Sequence, residues 1–300
     1  MIRRFLLIPH IKIHNANAMS SPYTIGFPAM TGWLGAVHAL QRHLQQQGLA
    51  ETKFTSIAVS CHQFDLQTYK GQGDFVNSII GTANPLDKTG NRPAFIEEAR
   101  CHLEVSLLIE YQGVDSDDLE NLIASINKQL LCMKFASGDV LSVKSTENIV
   151  VDEDDEQEIR RVLAKLMLGH VLIERRDLMI NAMQNEKKDA LDALLDHLKI
   201  MHRSTQDEDG KVIWTSSRKT AGWLVPIATG FQGVSDLGIA KHQRDNSTPH
   251  RFAESVVTLG EFVMPYRIKD LDNMLWQYHV DTQKNLYLCQ TLLTANSIGE

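Results

Sequence analysis

Across residues 98–111 apolar and polar side chains alternate. Cys101, Leu103, Val105, Leu107 and Ile109 fall on one parity, and Arg100, His102, Glu104 and Ser106 on the other. Successive side chains of a strand point to opposite faces, so the segment reads as a strand with one face in a core and one polar face. Neighbouring segments have compatible periods. Residues 3–14 alternate and are rich in Ile, Leu and Phe, a second strand signal. From Thr31 to Gln47, Leu34, Val37, Leu40 and Leu44 recur at helical spacing until Gly48. Residues 53–66 place Ile57, Val59 and Cys61 on one strand face. Asp115, Ser116, Asp117 and Asp118 open a helix to about Met133, with Leu119, Leu122, Ile123, Ile126 and Leu130 as its stripe. Acids at its start suit the positive helix N-terminus. An extended run, Val140 to Val151, closes the series.

Strand, helix, strand, strand, helix, strand is the order of a split βαβ unit. The expected fold is therefore α+β: a ferredoxin-like (RRM-like) βαββαβ core over residues 1–150, with a mixed α/β C-terminal elaboration over 151–300 that packs on it and contacts partners. Within the second half, helices are expected at 156–168, 188–201, 251–263 and near 268–278. A polar, acidic link is expected at 203–210, and a buried strand at 221–230 with an irregularity at Pro226. The stretch 68–95, with Gly71, Gly73, Gly81, Pro85, Gly90 and Pro93, reads as a long loop.

With 43% hydrophobic and 22% charged residues in 300, the chain has the composition of a soluble globular protein. Its longest apolar stretches, Phe5–Ile8 and Val105–Ile109, are too short to span a bilayer. Pro9, His10 and Lys12 interrupt the apolar run at the start, so a first strand is expected there rather than a signal peptide. A cytoplasmic location without membrane contact is expected. Cys61, Cys101, Cys132 and Cys289 form no C-x-x-C pair and read as free thiols. Cys61-His62 and Cys101-His102 lie in strands, where adjacent side chains point apart, so no metal site is expected. No phosphate-loop, dinucleotide, nucleophile-elbow or H-E-x-x-H pattern is present, and no cofactor is expected.

The net charge is −7, but its distribution is uneven. The first 50 residues carry Arg3, Arg4, Lys12 and Arg42, and the first acid is Glu51. Residues 211–251 carry Lys211, Arg218, Lys219, Lys241, Arg244 and Arg251 against Asp236 and Asp245, while acids concentrate at Asp152–Glu156. Local field governs a phosphate contact within about 8–10 Å. Such charges are equally consistent with solvated surface. The loop Asn15–Pro28 holds Asn15, Asn17, Ser20, Ser21, Tyr23, Thr24 and Gly26, with no negative charge, before a helix that starts near Ala29. These groups suit phosphates and base edges, and an ordinary capped connection is the alternative. The polar sheet face presents His10, Lys12 and His14 with Arg100, His102 and Glu104, and lacks the aromatics on which RNA-recognition sheets stack bases. Proximity of His10, His14, His38 and His62 leaves acid–base chemistry open, although 12 histidines make chance clusters common.

Asn15–Pro28 (NANAMSSPYTIGFP), followed by Gly32–Arg42 (GWLGAVHALQR), resembles the N-terminal signature of the Csy-two subunits of type I-F CRISPR systems. These form part of the Cas-five branch of the repeat-associated RNA-binding superfamily. Arg100–Leu108 is similar to their third strand. Gly222–Ile227, Arg251–Ser255 with Leu259–Glu261, and Leu275–His279 match C-terminal blocks; residues 145–210, the acidic run included, have no counterpart. The resemblance implies a non-catalytic subunit of a Csy (Cascade-type) surveillance complex in antiviral defence. Such a subunit binds the 5′ repeat-derived tag of the CRISPR RNA and pairs with the large subunit as a heterodimer. It abuts the terminal backbone subunit and meets target DNA indirectly, through the complex. RNA contacts are expected at Asn15, Asn17, Ser20, Ser21, Tyr23 and Arg42, and at a basic patch of Lys219 and Arg251. The alternatives are a metal-independent CRISPR precursor-RNA endoribonuclease of the same superfamily, and an adaptor that holds the large subunit without touching RNA. Trp214, Trp223, Phe231, Phe252, Phe262, Met264, Trp276 and Tyr278 exceed what one small sheet needs, so an exposed apolar partner surface is expected among them.

Overall fold

The computed structural model describes residues 1–80, 86–91, 98–207, 209–243, 245 and 247–292. Gly81, Pro85 and Pro93 of the long loop, and Arg244 of the basic segment, lie outside the described residues. Strand β1 (Ile2–Asn17) is longer than its alternation. It sends Leu6, Ile8, Ile11 and Ile13 into one core and Phe5 and Leu7 into another on the opposite face. A short hairpin of β2 (Met19–Ser21) and β3 (Thr24–Ile25) leads into α1 (Met30–Gln46). Trp33, Leu34, Val37, Leu40 and Leu44 make the buried stripe of α1, at the spacing the sequence shows. Strand β4 (Lys53–Leu66) returns, the pair β5 (Thr68–Tyr69) and β6 (Ser78–Ile79) follows, and β7 (Arg100–Gln112) inserts between β4 and β1, antiparallel to both. Its alternation is realised: Cys101, Leu103, Val105, Leu107 and Ile109 are buried in the same core as α1 and α2 (Leu119–Leu130). Strands β8 (Lys134–Phe135) and β9 (Gly138–Ser142) extend that edge, and β10 (Glu147–Asp152) pairs with the start of β1.

The expectation of a ferredoxin-like core with a mixed α/β elaboration is overturned by what β4 does next. Its outer edge is not an edge. After α3 (Glu156–Lys165), β11 (His170–Glu174) pairs with β4 through His170↔Cys61 and Val171↔Ser60. The chain then forms α4 (Arg176–Asn185), α5 (Ala190–Leu198) and a separate ribbon of β12 (Met201–Gln206) and β13 (Val212–Ser217). Strands β14 (Trp223–Gly233), β15 (Ala253–Val263), β16 (Trp276–Asp281) and β17 (Leu286–Thr291) follow. Trp276↔Ile57 joins β16 to β4. Among the described residues the result is one large 11-stranded sheet, ordered β11-β15-β14-β17-β16-β4-β7-β1-β9-β8 with β10 beside β1.

The physical reason for the difference lies in 251–263, expected as a helix and found as β15. Its centre, Thr258, Leu259 and Gly260, is buried as a run, with Leu259 in the small core under α4 and α5. A strand covered on both faces loses its alternation, and a short apolar run then carries no period that separates strand from helix. Likewise 203–210 is not a link: much of it belongs to the exposed β12–β13 ribbon. The acidic run has local work. Asp155 caps α3 by accepting the Gln157 N–H, and Asp152 and Asp154 accept from the Met1 ammonium at 3.1 and 2.8 Å. Among the described residues no helix is long and apolar enough to cross a membrane.

Candidate nucleic-acid interface

Two irregularities in β1 shape the face opposite α1. The β1–β7 register shifts between Ile8 and Ile11 and again between Ile13 and Ala16. At these bulges His10 (φ 53°) and Asn15 (φ 60°) adopt the left-handed conformation, which His and Asn tolerate better than most residues. At the first bulge the His10 N–H donates to Ser106 Oγ (3.1 Å), and its Nδ1 lies 2.7 Å from Glu104 Oε1. The His10 ring stacks on His62 with centroids 4.4 Å apart. His62 Nε2 in turn lies 2.7 Å from Ser106 Oγ. Burial, and then the charge of His10, push the His62 imidazole below its ordinary range. At the second bulge the Asn15 N–H donates to His102 Nδ1 (3.1 Å), which stacks with His14 at 4.2 Å. His102 Nε2 lies 3.0 Å from the Gln67 amide nitrogen. His10, His14 and His62 thus come together with His102, while His38 sits on α1, across the sheet.

The loop side chains divide by role. The Asn17 amide donates to the Met19 carbonyl and accepts the Met19 N–H, both at 3.1 Å. Ser20 and Ser21 each share a 2.8 Å hydrogen bond with Thr24 Oγ1, and Ser21 Oγ accepts the Tyr23 N–H. These three residues hold the β2–β3 hairpin in shape. Asn15 is exposed, and Tyr23 is 74% exposed at the hairpin tip. The other expected RNA contacts lie elsewhere. Arg42 is an exposed residue near the end of α1, close enough to Tyr278 for its charge to act on that phenol. Arg251 Nη1 donates to Asn285 at the far end of the β14–β15 pair, where Gly233 faces Ala253. Lys219 precedes the opposite end of β14 and is paired with Glu186 at 2.5 Å. At about 3.3 Å per residue, the length of β14 separates Lys219 from Arg251 by roughly 30 Å, so they make no common patch.

Sequence reasoning missed a cleft of about 330 Å³ beside the histidines. Its walls are Phe27 from the segment after β3, Phe64 from β4, and Trp223 and Phe262 from β14 and β15; His62 and His170 also line it. Trp223 packs edge-on to His170 (5.2 Å) and tilted against Phe262 (5.1 Å), yet stays 52% exposed. The signal lay in Gly222-Trp223 ahead of Pro226, but an aromatic in an apolar run reads first as core. Among the described residues no carboxylate lines the cleft. Cys61 also lines the cleft, and burial pushes the Cys61 and Cys101 thiols up to about 12. Among the described residues no group of three or more His, Cys, Asp or Glu side chains is arranged to hold a metal ion.

Comparison with known proteins gives this architecture its class: the chain is a CRISPR-associated protein. The family model of CRISPR-associated Cas_Csy2 proteins matches residues 6–289. CRISPR-associated protein Csy2 of Pseudomonas aeruginosa (strain UCBPP-PA14) is 33% identical over 313 residues, covering 95% of this chain and 94% of that protein. The chain belongs to the Csy2 family, and the match extends well beyond the blocks that carried the resemblance.

Proposed function

We propose that the protein is a non-catalytic, RNA-binding subunit of a type I-F CRISPR surveillance complex. It holds the 5′ repeat-derived tag of the CRISPR RNA, pairs with the large subunit, abuts the terminal backbone subunit and meets target DNA only through the assembly. Within the family assignment, one observation supports the RNA reading. The acid-free N-terminal segment sets exposed Asn15 against His102 in a row of imidazoles and carries exposed Tyr23 at the tip of the hairpin that follows. Single-stranded RNA is recognised by stacking on aromatic and histidine rings and by hydrogen bonds to exposed edges, and this surface offers both. Asn17, Ser20 and Ser21 serve by holding the hairpin. Lys219 is ion-paired with Glu186 and lies apart from this segment.

Binding of single-stranded tag RNA to the purified complex tests this reading. Asn15→Ala with Tyr23→Ala weakens the affinity, and Arg42→Ala with Arg251→Ala reports any phosphate contact on the other face. Removing one phosphate contact lowers the log–log salt slope by about 0.7 for a single strand. Unchanged affinity in the Asn15/Tyr23 variant removes the loop from the RNA path. The imidazoles are engaged with Glu104, Ser106 and each other, an arrangement that supports a structural rather than an acid–base role. Accordingly, His10→Ala and His62→Ala leave precursor RNA processing in cells intact. Accumulated precursor would instead favour the endoribonuclease reading.

A further inference from the structure

We infer that the cleft between Trp223 and Phe64 is a pocket for one unstacked nucleobase of the bound single strand, with the Trp223 ring as its stacking surface. This rests on the RNA-binding reading and adds to it the part of the nucleotide that is recognised and the residue that holds it.

Four observations carry it. First, an indole half exposed beside a concave space of about 330 Å³ is an unfilled contact, because its other side already rests on Phe262 and His170. Second, the walls are flat rings: Phe27 lies edge-on to Phe262 at 5.2 Å and Phe64 lies 6.4 Å from Phe27. Planar walls suit a planar guest, and stacking on such rings is tolerant of which base enters. Third, the cleft adjoins the expected strand path. Its wall includes Ile25 and Gly26, which continue directly from the Asn15–Tyr23 hairpin. Fourth, the polar lining residues are His62, His170, Gln63 and Cys61, with no carboxylate among the described lining residues to repel a phosphate. His62 is held in place by Ser106 and His10. A protein partner's apolar side chain is the competing guest. The neighbouring imidazole row and the acid-free hairpin favour the nucleotide.

The test combines Trp223 variants with RNAs that carry the repeat-derived tag and have one abasic position at a time, assayed on the assembled complex. Trp223→Ala weakens binding of the intact RNA roughly ten-fold, within the range for loss of one base–aromatic stack. Trp223→Phe retains most of it, and its melting temperature shows that the fold is kept. One abasic position reproduces the loss in the parent protein and adds nothing in Trp223→Ala. A halogenated base at that same position crosslinks to Trp223 under ultraviolet light. If RNA binds but no abasic position is silenced by Trp223→Ala, the pocket is overturned while the RNA-binding reading stands. If Trp223→Ala leaves RNA affinity intact but releases the large subunit, the cleft belongs to a protein partner and the inference fails. Absence of any tag binding by the parent complex overturns both readings.

Discussion

Arg3 enters the sheet beneath the surface, and its guanidinium makes one of the densest charge networks in the chain. Nε and Nη2 donate to the two Glu110 oxygens at 2.8 and 3.0 Å, and Nη1 donates to Asp272 at 2.7 Å. Glu110 also accepts from the Ser56 hydroxyl at 2.7 Å. Burial alone would push the Glu110 carboxyl up, but Arg3 and Ser56 outweigh it and hold the group below its ordinary value of 4.5. A carboxyl whose folded value is depressed stabilises the fold above its unfolded value. That contribution is lost as pH falls through the depressed folded value. Arg3→Ala removes the partner of a buried carboxylate and costs about 3–5 kcal/mol at neutral pH, measured by urea unfolding. The variant also loses less stability than the parent as pH drops below 4.5. A variant as stable as the parent at pH 7, or with the parent's acid limb, would refute this role for the pair. The alternation of Arg100–Ser106 makes the polar face legible in the sequence alone. The bulges at His10 and Asn15 are not legible there, because a register shift changes which residues meet without changing composition. The histidine pairs follow from those shifts.

The element on which the architecture turns is β14, and at Gly230 its backbone comes against β17. A Cβ there would lie 2.0 Å from the Tyr287 carbonyl oxygen and 2.9 Å from Leu288 Cα. Both are backbone atoms of the paired strand, so no side chain can yield, and β14 and β17 must part. Gly230→Ala therefore destabilises by about 1–3 kcal/mol or more, the range for overpacking. Amide exchange at Phe231 and Tyr287 rises with it. Gly238→Ala, with no atom within 4 Å of the added carbon, is the control and leaves both unchanged. Equal effects of the two substitutions would show that the close approach is not what holds the strands. The seam from β16 to β4 is similarly narrow: Trp276 is fully buried and its indole donates to the Leu172 carbonyl at 2.9 Å. Such joins explain why the sequence misleads at this scale. Each strand of the second half is visible as an apolar run or not at all, whereas its membership of the first half's sheet depends on a single ring and a few residue pairs far apart in sequence.

For the whole molecule, the aromatic excess of the second half resolves into two destinations. Trp276 and Phe262 complete the core, while Trp214 and Phe252 are 69% and 65% exposed. One exposed group is contiguous. Phe231 pairs with Tyr287, Tyr287 pairs with Val280, and the Tyr287 ring lies 5.3 Å from Tyr278. Burial and the hydrogen bond with Tyr287 push the Tyr278 phenol up, and the Arg42 guanidinium works against them. The row ends at Arg251, whose side chain crosses Gly233. Tyr, Phe and Arg at one site have the composition of residues that dominate protein interfaces, and this row lies across the sheet from the histidine face. That composition makes the row the surface on which to test docking of the large subunit proposed above. The isolated chain therefore self-associates in sedimentation and becomes monodisperse when co-expressed with the large subunit. Phe231→Ser with Tyr287→Ser improves the solubility of the isolated chain and weakens the heterodimer by about 2 kcal/mol or more, as truncation of a dominant interface residue does. Tag RNA affinity stays at the parent value if the tag follows the proposed Asn15–Tyr23 path. An isolated chain that sediments as a stable monomer and forms no complex at micromolar concentration overturns the partnership. A double variant that loses RNA but keeps the large subunit exchanges the roles of the two faces.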